Sequence, residues 1–221
     1  LYQLHWPDRP IALFGGKPGG AYRHIEGEIT PIDVILEALE EIVKAGKIRH
    51  IGLSNETAWG TMSFLHHSES KSLPRVQSVQ NAYNLLNRLY ESDQAEIAHR
   101  EQVGLLVYSP LAQGYLSGKY QNGALPKGSR KQLFDRLQRY EGPGVEGLIG
   151  QYLTVAQKHG IDASQMANQF CNTRDFVTSN IIGATTMEQL KLAIGSKDVP
   201  WTEELEKDIN KVHYSCPNPC P

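Results

Sequence analysis

Five short strand candidates of this chain each end at residues able to do polar or hydrogen-bonding chemistry. They end at His5, at Ser54-Asn55, at Gln80-Asn81, at Tyr108-Ser109, and at Gly183-Ala184-Thr185-Thr186. Together these ends offer an imidazole, side-chain amides, hydroxyls and one phenol. Amides and hydroxyls around an aromatic face suit an uncharged, planar, amide-bearing ligand. Nicotinamide is such a ligand: Ser, Asn and Gln can bond its carboxamide while Tyr stacks on its ring. A dinucleotide also needs phosphate ligands. Gly114, Gly118 and Lys119, then Ser129-Arg130, and the helix start after Gly183 with its amides and favourable dipole, can supply them. Each position also has a plainer reading. His5 can be a hydrogen-bonded structural residue, Ser54-Asn55 and Thr185-Thr186 helix caps, Tyr108 a core residue with its hydroxyl at the rim, and Lys119 and Arg130 solvated charges.

The elements that must position these groups alternate along the chain. Leu1 to His5 suits a short strand, and residues 6 to 29, carrying Pro7, Pro10 and Pro18 among many glycines, read as a long loop. Thr30-Pro31-Ile32-Asp33 predicts a helix start with Thr30 as the cap. Ile32, Ile35, Leu36, Leu39, Ile42 and Val43 then form one apolar stripe before Gly46 stops the helix. Strands are expected near 49–54, 75–80, 104–108 and 180–183, with helices over 55–66, 93–100, 145–159, 164–174, 187–194 and 202–212. Five strands separated by helices indicate a parallel α/β sheet, open or closed into a barrel, whose ligand site lies at the strand C-termini. The Gly/Pro-rich stretch 112–144 is too long for a plain connection and reads as a functional loop. Residues 215–221 form a Pro-rich tail.

Composition limits the partners. The 221 residues carry 22 basic and 24 acidic side chains, a formal charge of −2, which gives no basic face for nucleic acid. No apolar run approaches the roughly 20 residues of a membrane span. Cys171, Cys216 and Cys220 make an odd count, and Cys-x3-Cys lacks the second pair of a zinc site. They read as reduced thiols of a cytoplasmic protein. Gly15-Gly16-Lys17-Pro18-Gly19-Gly20 lacks the spacing of a dinucleotide fingerprint and the Gly-Lys-Ser/Thr end of a P-loop. His66-His67 point to different helix faces, so no metal is expected there. Asn55-Glu56-Thr57 matches a glycosylation acceptor, with no secretory signal beside it.

Several stretches carry a resemblance. Leu1-Tyr2-Gln3-Leu4-His5-Trp6-Pro7, the run Ala45 to Asn55 (AGKIRHIGLSN), Val79-Gln80-Asn81-Ala82-Tyr83-Asn84, the run Tyr108 to Tyr120 (YSPLAQGYLSGKY) and the run Ile182 to Leu190 (IGATTMEQL) stand in the order found in aldo-keto reductases. The chain resembles that superfamily, in its Tas-like bacterial branch and less closely its potassium-channel β-subunit branch, over nearly its whole length. The resemblance implies a (β/α)8 TIM barrel of which about five βα units, strands 4 to 8, stand in residues 1–214. It also implies NADP(H) bound across the C-terminal rim, and reduction of a small-molecule carbonyl substrate, an aldehyde or ketone, to an alcohol. By analogy Ser54, Asn55 and Gln80 would hold the carboxamide and Tyr108 would stack on the nicotinamide. Ser109, Leu111, Gln113, Gly114 and Lys119 would line the pyrophosphate, and Gly183 would precede the helix start. Arg130, Thr185 and Gln189 would meet the 2′-phosphate end. Leu192 and Ala193 stand where many relatives carry Glu and Asn against the adenine.

Of the family's catalytic Asp, Tyr, Lys and His, only the His is matched, by His5. The resemblance therefore leads to the expectation that the chain lacks the N-terminal part and that an incomplete barrel self-associates. The alternatives are a non-catalytic NADP-binding or regulatory module, and an inactive truncated reductase.

Overall fold

The computed structural model describes residues 1–11, 24–134 and 138–221. The glycine-rich run 15–20 lies outside them. The chain divides into two compact units, Leu1–Asn81 with Tyr90–Leu106, and Ala82–Leu89 with Val107–Pro221. Strands β3 and β4 contribute residues to both. The strands β1 (Tyr2–Leu4), β2 (Ile51–Ser54), β3 (Val76–Ala82), β4 (Gly104–Tyr108) and β5 (Val177–Asn180) form one sheet in chain order, and β1, β2 and β3 pair in parallel.

In the first unit, α1 (Ile32–Lys44) and α2 (Ala58–Lys71) pack on one face of the sheet. Leu36 and Leu39 of α1, Phe64 and Leu65 of α2, and Ile51, Leu53, Val76 and Val79 of the strands make its dry core. Because side chains alternate along a strand, burying Ile51 and Leu53 against helices turns Gly52 and Ser54 to the opposite face. The expected cap at Thr30 is displaced. Pro31 takes the N-cap position with φ −56° and no side-chain cap bond, because a ring with φ already fixed serves there without one. Gly46 does stop the helix, at φ +71°.

The second unit is built around α5 (Val145–Lys158), α6 (Ala163–Asn172) and α8 (Glu203–Ser215), with α7 (Met187–Gly195) beside α6. Its core is aromatic. Tyr83 stacks on Phe170 at 5.3 Å between ring centroids, and the Tyr152 hydroxyl donates to the Leu85 carbonyl at 2.9 Å. The Pro-rich tail is bound to this core: the Cys220 amide donates to the Leu86 carbonyl at 3.2 Å and its side chain is buried. The fifth strand corrects the expectation. It lies at Val177–Asn180, three residues earlier than read, because Thr178 and Ser179 are exposed and break the apolar pattern that marks a strand. Gly183 to Thr186 therefore follow the strand in an exposed connection. No helix among the described residues is long and apolar enough to cross a membrane.

Candidate active and cofactor site

In the first unit three strand ends meet through hydrogen bonds. Ser54 is buried and its hydroxyl donates to the Gln80 carbonyl at 2.8 Å; the Asn55 amide donates to the same oxygen at 3.0 Å. Asn55 sits at φ +56°, and its side-chain Nδ2 donates to the His5 carbonyl at 2.9 Å and to Ser54 Oγ at 3.2 Å. Thus His5, Ser54, Asn55 and Gln80, expected at one site, are joined in one network. His5 itself is exposed, its ring 4.8 Å from that of Trp6. The capping alternative for Ser54-Asn55 is ruled out: Thr57 caps α2, accepting the Gly60 amide at 3.1 Å. Asn55 is buried, which also removes it as a surface glycosylation acceptor.

Sequence reasoning missed the layer beneath. Glu56 is buried, and its carboxylate takes both ends of the Arg9 guanidinium, with Nη1 to Oε2 at 3.0 Å. Arg9 also reaches Thr57 Oγ1 at 3.0 Å and lies over Trp59. Asn81 clamps the Glu56 backbone, accepting from its amide at 3.2 Å and donating to its carbonyl at 2.8 Å, and Gln94 donates to that carbonyl at 3.1 Å. This holds Asn55 in its left-handed conformation, which costs a non-glycine residue about 1 kcal/mol or more. Arg9 and Glu56 stand 47 residues apart and carry no local pattern, so the pairing had no sequence signal.

In the second unit Tyr108 ends β4 half-buried. Burial pushes its hydroxyl pKa up, opposed by the nearby Arg139 charge and a hydrogen bond from it, so it stays a neutral phenol. The segment after it turns through left-handed residues at Ser109 and again at Ala112, Gln113 and Gly114. Gly114, at φ +101°, has no side chain to keep Lys119 away: an added Cβ would meet Lys119 Cε and Nζ at 2.8 Å. The ammonium thus lies over bare backbone, a geometry that accommodates a phosphate. Gln113 Oε1 is buried without a partner among the described residues, an acceptor awaiting a donor such as a ribose hydroxyl. Leu111 supplies the carbonyl that takes the Gly114 amide at 2.8 Å. These residues fit a phosphate-bearing nucleotide.

The adenosine end is less open than expected. Arg130 begins the short helix α4 (Arg130–Phe134), exposed and without an ion-pair partner among the described residues. Thr185 and Gln189 are spent on each other, the Thr185 amide and hydroxyl donating to Gln189 Oε1 at 2.9 and 3.1 Å. Thr186 caps α7, accepting the Gln189 amide, and Glu188 is held below the usual carboxylate range by its own backbone amide and by Thr186. Of the amides expected after Gly183, those of Thr185, Glu188 and Gln189 are therefore already engaged by this segment's own side chains. Elsewhere His159, Glu204 and Asp208 bring potential ligand atoms within 4.8 Å, but Lys158 already neutralises both carboxylates at 2.9 and 2.7 Å.

Comparison with known proteins decides the family. The model of the aldo/keto reductase family matches residues 1–213. The chain belongs to the aldo/keto reductase family. It is similar to Protein tas of Escherichia coli strain K12, at 44% identity over 221 residues covering 100% of this chain and 63% of that protein. An aldo-keto reductase of Babesia bovis is 33% identical over 99% of this chain and 81% of its own length. The L-glyceraldehyde 3-phosphate reductase of E. coli K12 is 33% identical over 77% of this chain and 50% of its own. The chain thus spans 63% of the length of the Tas protein it matches. Membership implies the TIM-barrel fold, with which the α/β sheet in chain order agrees, and a family that generally uses NAD(P)H.

Proposed function

We propose that this aldo/keto reductase-family protein uses NADP(H) to reduce an aldehyde or ketone to its alcohol. The observation that carries the reading is the Gln113–Gly114–Lys119 cradle, where a bare left-handed glycine, an orphaned buried amide oxygen and an ammonium group stand in one turn. When bound, the nicotinamide would supply the hydride. The chain's own residues bind and orient: Ser54, Asn55 and Gln80 hold the carboxamide, Tyr108 offers an aromatic face, Ser109, Leu111, Gly114 and Lys119 receive the pyrophosphate, and Gln113 Oε1 accepts from a ribose hydroxyl beside it. The proton that completes the alcohol must come from a donor other than these, since of the family's Asp, Tyr, Lys and His only His5 is matched. Arg130 meets the 2′-phosphate as an exposed cation, which favours NADP(H) over NAD(H), with Thr185 and Gln189 bordering it. His5 orients the carbonyl oxygen of the substrate by hydrogen bonding. Free thiols at Cys171, Cys216 and Cys220 fit a cytoplasmic setting.

Titration with NADPH and with NADH, followed by NADPH-linked turnover of a generic aldehyde, tests this. Tight NADPH binding weakened by about ten- to a hundredfold in Lys119→Met supports the cradle, since one charge-assisted contact is worth about 1.5–3 kcal/mol. Failure to bind NADPH overturns the reading. Binding without turnover selects the alternative of a non-catalytic NADP-binding module.

A further inference from the structure

Gln3, which the cofactor assignment leaves out, is the hydrogen-bond partner of the Gln80 side-chain amide among the described residues. Gln80 Nε2 donates to Gln3 Oε1 at 3.2 Å, and Gln3 Nε2 in turn reaches the Leu53 carbonyl at 3.5 Å. A carbonyl can only accept, so the Leu53 oxygen selects the NH2 end of Gln3. That turns the Gln3 oxygen toward Gln80, and selects the NH2 end of Gln80 in the same way. That leaves Gln80 Oε1 without a hydrogen bond among the described residues, the acceptor it has to offer a ligand. Gly52 makes room for this: a Cβ there would lie 3.3 Å from Gln3 Cγ and 2.8 Å from Ser78 Oγ. The donors of Ser54 and Asn55 point the same way, spent on the Gln80 carbonyl and the His5 carbonyl.

We infer that Gln3 is a positioning residue which fixes the amide of Gln80 with its oxygen left to accept, so that the site selects a ligand bearing an N–H, the carboxamide NH2. The inference rests on the cofactor reading above. Its test compares binding of NADPH with that of reduced 3-acetylpyridine adenine dinucleotide phosphate, whose methyl ketone has no N–H to give. The unsubstituted protein should prefer NADPH by about three- to tenfold, the worth of one ordinary hydrogen bond. Gln3→Met should bring that preference near unity, because Gln80 can then present either end. Gln3→Glu, which keeps an acceptor for Gln80 Nε2, should retain it, and a purely structural role for Gln3 would not separate these two variants. A preference unchanged in Gln3→Met, or absent from the unsubstituted protein, overturns the inference while leaving the cofactor reading intact. Absence of NADPH binding in the unsubstituted protein overturns both. Should Gln3→Met not fold, Gln3→Ala takes its place with the same two outcomes, a preference near unity supporting the inference and an unchanged one overturning it.

Discussion

Two residues of the cradle show how much depends on a single atom. Gly114 holds φ +101° while Lys119 lies where its Cβ would be. In Gly114→Ala the flexible lysine end can swing away at little steric cost, but the left-handed backbone cannot relax. The expected result is a loss of about 1–2 kcal/mol of stability by thermal or urea melting, with weaker NADPH binding as the ammonium leaves its place. Cysteine chemistry is equally local. Burial raises the Cys220 thiol to about 12 and pushes Cys171 higher still, whereas Cys216 is exposed. Iodoacetamide at pH 8 should label the native protein at Cys216 alone and all three cysteines after unfolding, as read by peptide mass spectrometry. Rapid native labelling of Cys220 would contradict the bound tail.

At the scale of elements, the Arg9–Glu56 pair ties the segment after β1 to the start of α2. Its side chains are 15% and 2% exposed, so the pair is one of mutual compensation. Removing one member of a buried pair strands the other charge, and Arg9→Met should cost about 3–5 kcal/mol. Combining Arg9→Met with Glu56→Gln should recover part of that in chemical melts. Equal losses in the single and double variants would mean that the packing of Arg9 on Trp59 matters more than its charge. Gly60 belongs to the same junction, because any Cβ there would collide with the Glu56 carboxylate and lie 2.6 Å from Arg9. The cap at Thr57 and the clamp from Asn81 then pass this order on to Asn55.

Across the whole molecule, acid sensitivity follows from carboxylates held in ion pairs. Asp208 is kept below the usual range by Lys158 first and then His159, and Glu141 by Lys131 and then Tyr115. Burial pulls Glu206 upward, but Arg174, Trp201 and Asn210 together bring it below the ordinary value. A carboxylate whose folded pKa is depressed contributes stability above its unfolded pKa and loses it as pH falls through the folded one. The thermal midpoint should therefore be flat near neutrality and fall below about pH 4. Arg174→Ala should lower it at pH 7 and make the acid decline shallower; an unchanged slope would remove Glu206 from the account.

The spacing of apolar residues was enough to locate most helices and four of the five strands, because the 3.6 and 2 periodicities are imposed by burial against one neighbour at a time. The polar strand ends His5, Ser54, Asn55 and Gln80 were legible because each stands where a strand candidate stops. The cap at Thr57 in place of Ser54, the shift of β5 to Val177–Asn180, the self-capped helix start at Thr186, and the support given by Gln3, Arg9, Glu56 and Asn81 were not. The support depends on which donor meets which acceptor across gaps of 25 to 77 residues, and the two caps on which of several neighbouring hydroxyls takes an amide three residues on. Sequence alone thus determined the alternation of elements and the residue types offered to a ligand. Only tertiary structure decided the direction in which each amide and hydroxyl is spent, since a hydrogen bond is assigned by distance and angle in space and leaves no period along the chain.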